Sequence, residues 1–409
     1  MVAETVTLEG HIIDSKVLAT VLDDIVSFGA EFTILEVHIG QSRNERSHAR
    51  IEVRTQTLDQ MHELLAVMSK HGALWHEAED VEIVPADMDG AFPEEFYSTT
   101  NQQTFVRHGG QWIEVRDQEM DCGIVHDPAG GTFRCLPISK VRRGDRLVCG
   151  QRGIKVIPFE RQRAKGVFEF MASDVSTEKP KNTIIRNCAQ LMVQTRRDGK
   201  RLLLVGGPAI VHTGAAEHVV TLIERGYVNV LFAGNALATH DIEHNLYGTS
   251  LGVYIDRNSL ADAGHEHHLR AINTVRRAGG IRQAVEQGVL TGGIMHACVR
   301  HGVEFVLAGS VRDDGPLPDV ITDALVAQDR MREGIRDVGF VLMVATLLHA
   351  VATGNILPAW IPAVCVDISP SAVTKLADRG SFQTIGLVTD VEPFFRSLVR
   401  EIDAAEAGR

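Results

Sequence analysis

The residues between Val228 and Gly252 have the types and spacing best suited to chemistry. A short apolar run, 228–233, ends at Gly234 and predicts a strand buried on both faces. Ligands bind at the carboxyl ends of strands in open α/β sheets, so the side chains that follow this run form a candidate site. Six polar or titratable residues occupy the next ten positions: Asn235, Thr239, His240, Asp241, Glu243 and His244.

A metal-dependent alternative fits part of the same stretch. Residues 240–244 read His-Asp-Ile-Glu-His, which matches the inverted zinc-protease motif H-x-x-E-H. A catalytic zinc needs a third protein ligand, and no distant Glu or His stands out. A second thiol and imidazole set, Cys122, His126 and Cys135, lacks the paired Cys-x-x-Cys spacing of structural zinc sites. We therefore expect no metal, and a zinc hydrolase remains only an alternative.

The elements that must position the candidate site alternate between strand and helix patterns from about residue 175 to the end of the chain. This alternation predicts a doubly wound parallel sheet of about six strands with right-handed crossovers. Each predicted strand ends in a glycine or a small polar side chain, which places one long ligand along one edge of the sheet. These strand-end residues are Gly206, Asn235, Ser310, Thr346, Asp367 and Asp390.

A dinucleotide is a natural long ligand for such an edge. Its pyrophosphate binds backbone N–H groups at a helix N-terminus, which the segment 346–349 (Thr-Leu-Leu-His) could supply. A ribose hydroxyl pairs with a carboxylate at a strand end, a position that Asp367 occupies. Residues 206–209 read Gly-Gly-Pro-Ala, however, so the common G-x-G-x-x-G fingerprint is absent. The residues alone leave the ligand open, because doubly wound sheets bind many ligands.

Two smaller modules are predicted before this domain. Residues 1–94 follow the order β-α-β-β-α-β of a ferredoxin-like module, with Val81–Val84 as its fourth strand. Within it, Thr57 and Gln60 have the spacing of a capping box at the start of the second helix. Short β-rich runs between glycines predict a small β-rich module over 95–165. Residues 166–409 then form the predicted doubly wound domain, which contains the candidate site.

Charge and composition restrict the function classes. The net charge of −12 argues against a nucleic-acid partner, and no apolar run reaches membrane-spanning length. The first residues lack the basic and apolar regions of a signal peptide. Six scattered cysteines indicate reduced thiols rather than a disulfide framework, which favours a cytoplasmic protein. A homo-oligomer is expected for a soluble enzyme of this kind.

Several long motifs resemble those of the archaeal-type ornithine cyclodeaminase family, which has also been named the LOR/SDH bifunctional enzyme conserved region. The unit is similar to the C-terminal half of cyanobacterial bifunctional arginine dihydrolase/ornithine cyclodeaminases. The resemblance covers essentially the whole chain and implies a nucleotide domain with a deoxyhypusine-synthase-like fold. The dihydrolase half has no counterpart here. The motifs that carry the resemblance are Gly-Gly-Pro-Ala (206–209), 231–243, Leu-Tyr-Gly-Thr-Ser-Leu-Gly (246–252), 309–319 and Cys-Val-Asp (365–367).

The resemblance implies NAD as the cofactor. Most of the strand ends identified above belong to the family's cofactor-binding set, and the aligned acid is either Asp313 or Asp314. The charge of Asp367 would repel a 2′-phosphate, which favours NAD over NADP. The implied NAD-binding residues are Asn235, Ala236, Asp313, Thr346, Leu347, Leu348, His349, Asp367, Asp390 and Val391.

The implied reaction converts L-ornithine to L-proline and ammonia, with NAD recycled through hydride abstraction and return. The protein then has to orient the substrate and move protons on and off two amines. Asp241 and His240 are the first candidates for this role, with Glu243 behind them, although a His or Asp after a strand also serves as a helix cap. Cys298 is a weaker candidate, since a buried thiol is more often a core residue.

Two further activities remain as alternatives. The older family name suggests a lysine-ketoglutarate reductase or saccharopine-dehydrogenase activity, which predicts net turnover of NAD(P)H. A non-catalytic nucleotide sensor would bind NAD without forming proline. The histidine-rich segment 265–268 is interpreted as a solvated turn without an assigned role.

Overall fold

The computed structural model separates into two compact units, Met1–Arg163 with Asn355–Trp360, and Ala164–Gly354 with Ile361–Arg409. The predicted three-part division stays a prediction. Across the described residues, the helices are too short or too polar to cross a membrane. The structure describes residues 2–10, 12–13, 17–40, 45, 47–75, 79–157, 181–254, 259–260, 264–313, 315–378 and 384–408.

The first unit begins with the predicted ferredoxin-like arrangement, which is confirmed. Four strands form a sheet in the order β2-β3-β1-β4, and buried residues of both helices, such as Ile25 and Leu64, share its core. The Thr57 half of the capping box is present, since Gln60 N donates to Thr57 Oγ1 at 3.2 Å, whereas Gln60 Oε1 accepts from Gln56 N rather than from Thr57 N. The elements are β1 (Val2–Gly10), α1 (Val17–Ser27), β2 (Glu31–His38), β3 (Ser47–Thr55), α2 (Leu58–Lys70) and β4 (Leu74–Trp75).

The prediction for the fourth strand of this module was wrong. The strand that pairs with β1 is Leu74–Trp75, which follows directly after the turn that ends α2. The predicted strand 81–84 instead joins the second sheet as Glu82–Pro85. Val81, just before this strand, is buried in the core of the second sheet, and its N–H donates to Arg107 O at 2.8 Å. The apolar side chains of the segment are therefore covered by the second sheet.

The second sheet of the first unit is the predicted β-rich module. Its seven strands have the order β11-β6-β7-β9-β8-β10-β5, and all pairs are antiparallel except β7 with β9. Phe133 and Tyr97 fill its core. The strands are β5 (Glu82–Pro85), β6 (Gln103–His108), β7 (Gln111–Arg116), β8 (Gly123–Asp127), β9 (Thr132–Leu136), β10 (Arg146–Cys149) and β11 (Ile154–Ile157).

The second unit is built on a parallel sheet in the order β18-β17-β13-β12-β19-β20-β21, as the alternating pattern predicts. Strands β14 to β16 form a separate small antiparallel sheet. The strands are β12 (Arg201–Gly206), β13 (Val230–Gly234), β14 (Thr249–Ser250), β15 (Val253–Tyr254), β16 (Ser259–Leu260), β17 (Glu304–Ala308), β18 (Val320–Ile321), β19 (Val338–Val344), β20 (Ala363–Asp367) and β21 (Thr384–Val388).

Helices alternate with these strands. The sequence pattern predicts an inward apolar face for the helix before β12, and that face is buried, including Cys188 and Met192. The sequence also predicts Pro180 in the first turn of this helix, but that residue lies outside the described residues. The helices are α3 (Lys181–Arg197), α4 (Ala209–His212), α5 (Ala216–Glu224), α6 (Asn235–Tyr247), α7 (His267–Ala278), α8 (Ile281–Glu286), α9 (Gly293–Arg300), α10 (Ala324–Gly334), α11 (Leu347–Ile356), α12 (Pro370–Asp378) and α13 (Val391–Glu406).

The sheet has one strand more than the predicted six. The sequence pattern predicts a helix over Asp319–Ile335, but Val320–Ile321 pairs with β17 and the helix begins only after Asp323. The Asp323 carboxylate accepts hydrogen bonds from Leu325 N and Val326 N, so it caps the helix at that point. The extra strand is a short edge strand, which is difficult to distinguish from the first turn of a helix by periodicity.

Candidate active site

The sheet of the second unit contains a topological switch point between β12 and β19. From β12 the chain builds outward through β13, β17 and β18, and then returns to the other side of β12 to add β19, β20 and β21. The register aligns the strand ends, with Gly206 opposite both Ala233 and Val344. A crevice at the carboxyl ends of such strands is the usual ligand site of open α/β sheets.

The backbones that follow β12 and β19 approach each other very closely at this crevice. Gly207 N donates to Val344 O at 2.9 Å, and a Cβ on Gly207 would lie 1.8 Å from Ala345 O. Ala345 has φ 52°, a left-handed conformation that is uncommon for a residue with a side chain. Strained backbone of this kind often occurs at functional sites. The Gly-Gly-Pro segment thus allows the backbones after β12 and β19 to approach closely, although it does not match the dinucleotide-binding fingerprint.

Predicted cofactor residues that follow two strands, β17 and β19, meet beside this crevice at the end of β13. His349, in the first turn of α11, shares a hydrogen bond of 3.2 Å between its Nδ1 and Thr346 Oγ1. A methyl group on Gly234 would lie 3.0 Å from His349 Cε1, so the imidazole packs against the end of β13. Burial lowers the pKa of His349, and the Ala308 carbonyl and the Asp313 carboxylate act in the opposite direction. The structure therefore brings together Thr346, His349 and Asp313.

Asn235 begins α6 immediately after β13. Its Oδ1 accepts hydrogen bonds from Leu317 N at 3.1 Å and from Thr239 Oγ1 at 3.2 Å. These bonds hold the side chain at the strand end and join the start of α6 to the loop before β18. Asn235 and the adjacent Ala236 are half-buried, as expected for the rim of a cleft.

The remaining predicted cofactor residues follow β19, β20 and β21. Asp367 ends β20, and its Oδ1 accepts from Ser369 N at 2.8 Å, which leaves Oδ2 without a partner among the described residues. Asp390 caps α13, since its Oδ1 accepts from Val391 N at 2.7 Å. Leu347 and Leu348 are exposed in the first turn of α11, next to the switch point. The six predicted strand ends thus lie along one edge of the sheet.

A second polar group is centred on Glu243 of α6, which is fully buried. Its carboxylate accepts hydrogen bonds from His240 Nδ1 at 2.8 Å, Thr249 Oγ1 at 2.9 Å and Gly252 N at 3.0 Å. Leu251 N adds a fourth donor at 3.3 Å. Burial raises the pKa of Glu243, but these bonds outweigh it and the net pKa is lowered. A buried carboxylate with this many donors is ionised at neutral pH.

His240 is oriented by this carboxylate. If Nδ1 carries the proton that it donates to Glu243, Nε2 is the nitrogen left to exchange a proton with a bound molecule. The His212 ring lies 4.8 Å from the His240 ring in an edge-on arrangement, and its Nδ1 is 2.6 Å from Ser250 Oγ. Burial lowers the pKa of His212 to about 4, with His240 adding to the effect. The neutral His212 imidazole therefore lies beside the His240 imidazole, which is hydrogen-bonded to Glu243.

Two members of the polar group around Glu243, His212 and His267, lie outside residues 228–252 and were missed in the sequence analysis. His212 ends the short helix α4 after β12, so its strand-end position was the only signal for it. His267 was interpreted as part of a solvated turn, but it stacks on Tyr247 and its Nδ1 lies 2.8 Å from Thr249 Oγ1. Thr249 in turn donates to Glu243, which connects His267 to the buried carboxylate.

Asp241, a first candidate for proton transfer, caps a helix in the structure. Its Oδ1 and Oδ2 accept from Ile294 N and Met295 N, both at 2.8 Å, in the first turn of α9. Burial raises the pKa of Asp241 to about 6, against the two backbone bonds, which lower it. Cys298 is buried on the same helix, and burial raises its pKa, which favours the unreactive thiol. This geometry favours structural roles for Asp241 and Cys298, and their catalytic roles stay predictions.

We expect Asp241→Ala to lower the free energy of unfolding by about 2–5 kcal/mol, because it leaves two buried N–H groups without acceptors. Urea unfolding followed by circular dichroism measures this change. Asp323→Ala is the matched control, since Asp323 also caps two N–H groups, but at an exposed helix end where water replaces it. Its expected cost is about 1 kcal/mol. Equal costs for the two variants would contradict a buried capping role.

The two suspected zinc sites do not assemble a ligand set in the described part of the chain, where no three His, Cys, Asp or Glu side chains are grouped to hold a metal. In the H-x-x-E-H segment, His240 is hydrogen-bonded to Glu243. In the β-rich module, Cys122 Sγ donates to Glu119 Oε1 and His126 stacks on Phe133. Neither arrangement supports the zinc-hydrolase alternative.

Three protein-family models match consecutive parts of the chain, which together span residues 3–398. Residues 3–102 match the LOR/SDH bifunctional enzyme conserved region. Residues 103–185 and 186–398 match the first region and the Rossmann fold of the arginine dihydrolase ArgZ-like C-terminal part. A protein named ornithine cyclodeaminase from Methanothermobacter thermautotrophicus is 54% identical over 97% of both chains.

Two solved structures are also similar. A conserved LOR/SDH protein from Methanococcus maripaludis S2 is 49% identical with a TM-score of 0.76, covering 80% of this chain and 99% of that one. AgrE of Nostoc sp., a bifunctional arginine dihydrolase/ornithine cyclodeaminase, was solved as a ternary complex with ornithine and NAD+. That complex is 36% identical with a TM-score of 0.55, and the match covers 100% of this chain and 58% of AgrE.

Proposed function

Because this chain belongs to the archaeal-type ornithine cyclodeaminase family, we propose that it converts L-ornithine to L-proline and ammonia with NAD as a recycled cofactor. The observation that carries the proposal is the position of two polar groups on one helix. Asn235 begins α6 at the strand-end crevice, and the His240–Glu243 pair follows on the same helix. His240 lies five positions after Asn235 on this helix, about 7.5 Å farther along its axis.

The residues at the crevice fit a dinucleotide. The unpartnered Oδ2 of Asp367 can accept a ribose hydroxyl, and its charge disfavours a 2′-phosphate. The first turn of α11 presents backbone N–H groups for a pyrophosphate beside Thr346. Asn235 and Asp313 supply polar groups on the other side of the switch point, and the His349 imidazole reaches from α11 to the end of β13. When bound, NAD supplies removal and return of the Cα hydride.

The chain's own contribution is proton transfer and orientation. The ornithine δ-ammonium must lose a proton before its nitrogen can attack Cα, and the departing α-amino nitrogen must gain protons to leave as ammonia. His240 Nε2 is the group proposed to carry these protons, because Glu243 holds its other nitrogen. Glu243 itself is assigned as a positioning residue, since it is fully buried and four protein donors bind its carboxylate.

Incubation of the pure chain with L-ornithine and NAD+ tests the proposed reaction. We expect proline and ammonia in equal amounts, without accumulation of reduced cofactor. Net NAD(P)H turnover with lysine and ketoglutarate, or with saccharopine, would instead support the older family activity. NAD binding without any product would support a nucleotide sensor.

We expect Asp367→Ala to weaken NAD binding about 10- to 100-fold, because a hydrogen bond to a charged group contributes about 1.5–3 kcal/mol. Titration calorimetry with NAD+ measures the dissociation constant directly. Asp198→Ala, at an exposed turn after α3, is the control and should bind NAD as the wild type does. An unchanged affinity in Asp367→Ala would remove this residue from the cofactor site.

A further inference from the structure

Strand β2 is an edge strand that exposes an unusual amount of apolar surface. It lies at the end of the β2-β3-β1-β4 sheet, and all of its residues are exposed. The exposed fraction is 37% for Phe32, 44% for Ile34, 47% for Leu35 and 40% for Val37. Exposed edge strands with apolar side chains invite pairing with another chain, so natural proteins cover or charge them.

The register of β2 with β3 assigns its side chains to two faces. Phe32 and Ile34 lie opposite the core residues Val53 and Ile51, so they are on the helix-covered face of the sheet. An irregularity between Ile34 and Glu36 shifts the alternation by one residue. After it, Val37 lies opposite the buried Ala49 and is therefore on the same face as Phe32.

The outer face of the same strand carries charge. Glu31 lies opposite Arg54, and His38 lies opposite His48. His38 also stacks on His48 at 5.6 Å and lies 3.5 Å from Glu45. An acidic residue thus begins the strand on this face and an imidazole ends it.

We propose that β2 pairs antiparallel with β2 of a second copy of this chain, around a two-fold axis between Ile34 and Leu35. This register places Phe32 opposite Val37 of the second copy, with both side chains on the helix-covered face. It also places Glu31 opposite His38 of the second copy on the outer face, twice by symmetry. A two-fold interface must be self-complementary, and this strand meets that condition, since apolar side chains face apolar ones and a carboxylate faces an imidazole.

The irregularity in the strand selects this register. The irregularity at residue 35 reverses the alternation of side chains between the two faces. An even-numbered residue before it therefore shares a face with an odd-numbered residue after it, and the reverse, so the numbers of two facing residues add to an odd sum. In the proposed register the numbers of facing residues add to 69, so all eight residues of β2 are paired and neither strand end is left over. A shift by one position would place apolar side chains opposite charged ones. The product is a continuous sheet of two four-stranded halves, with all helices on one face.

Light scattering on the full chain tests the proposed pairing. We expect the wild type to have at least twice the chain mass of 44.8 kDa, and Ile34→Lys to halve the measured mass. The substitution places two like charges beside the two-fold axis, where an inward-pointing charge prevents edge pairing. Leu58→Lys is the matched control, because Leu58 is an exposed apolar residue of the same module, and it should keep the wild-type mass. A monomeric wild type, or an oligomer that Ile34→Lys leaves intact, would overturn the proposal.

Cysteine cross-linking tests the register independently of any folding defect. The double variant Phe32→Cys with Val37→Cys should form a covalent dimer under mild oxidation, since the two positions face each other across the interface. Phe32→Cys alone should not, because each position 32 faces a position 37. The six native cysteines are buried and do not compete. Equal cross-linking of the single and double variants, or none in an oligomeric protein, would contradict this register.

Discussion

Glu243→Gln is expected to lower the rate of proline formation about 10²- to 10⁴-fold, the usual contribution of a positioned acid–base group. The carboxylate fixes His240 through Nδ1, and an amide in its place replaces the charged acceptor of this hydrogen bond with a neutral one. The amide N–H₂ would also face one of the backbone donors Leu251 N or Gly252 N. The turnover number and the Michaelis constant for ornithine, measured against pH, record this effect.

The chain offers a matched control for Glu243→Gln. Glu392 lies 3.4 Å from His218 in a half-exposed pair of the same unit, so Glu392→Gln should leave turnover unchanged. If Glu243 positions His240, Glu243→Gln should change the turnover number and its pH profile while NAD affinity is retained. Glu243→Asp should recover part of the rate. Loss of NAD binding together with activity would indicate a purely structural role, and wild-type turnover would exclude any role.

Gly207→Ala is expected to have the largest effect on the cofactor crevice. A Cβ at this position would lie 1.8 Å from Ala345 O, which is backbone and cannot rotate away. The ends of β12 and β19 would have to separate at the switch point, with a cost of about 3 kcal/mol in unfolding free energy. NAD binding should be lost at concentrations that saturate the wild type. Urea unfolding and calorimetry measure the two effects.

Gly130→Ala is a suitable control for this substitution. Its Cβ would first meet the carboxylate of Asp127 at 3.2 Å, a side chain that can move. Its stability should therefore stay close to that of the wild type. A Gly207→Ala protein with normal stability and normal NAD affinity would contradict the close backbone approach at the crevice.

The sequence predicted the carboxyl edge of the large sheet because the signals for it are local. Each strand is a short apolar run, and a small or polar residue such as Asn235 or Asp367 ends it. Parallel pairing then aligns those ends without further information. The fourth strand of the ferredoxin-like module was predicted wrongly because no local signal identifies it. Leu74–Trp75 and Glu82–Pro85 both have β character, and tertiary pairing decides which one joins β1.

Side-chain partnerships were harder to predict than strand ends. Asp241 and Glu243 are two residues apart, yet they point to different neighbours: Asp241 caps α9, whereas Glu243 binds His240 and Thr249. Their roles depend on residues up to 54 positions away, which periodicity does not encode. His212 was missed for the same reason, since only the folded chain brings it to His240.

The most direct test of the account uses ornithine that carries deuterium at Cα. The proposed reaction removes hydrogen from this carbon as hydride and returns it to the same carbon after ring closure. The purified chain with NAD+ should therefore yield proline that retains deuterium at C2, with one ammonia per proline and no net reduced cofactor. Mass spectrometry of the proline and a parallel ammonia assay measure both. Absence of proline, or proline that has lost its deuterium to solvent, would contradict the proposed NAD-recycling ornithine cyclodeaminase.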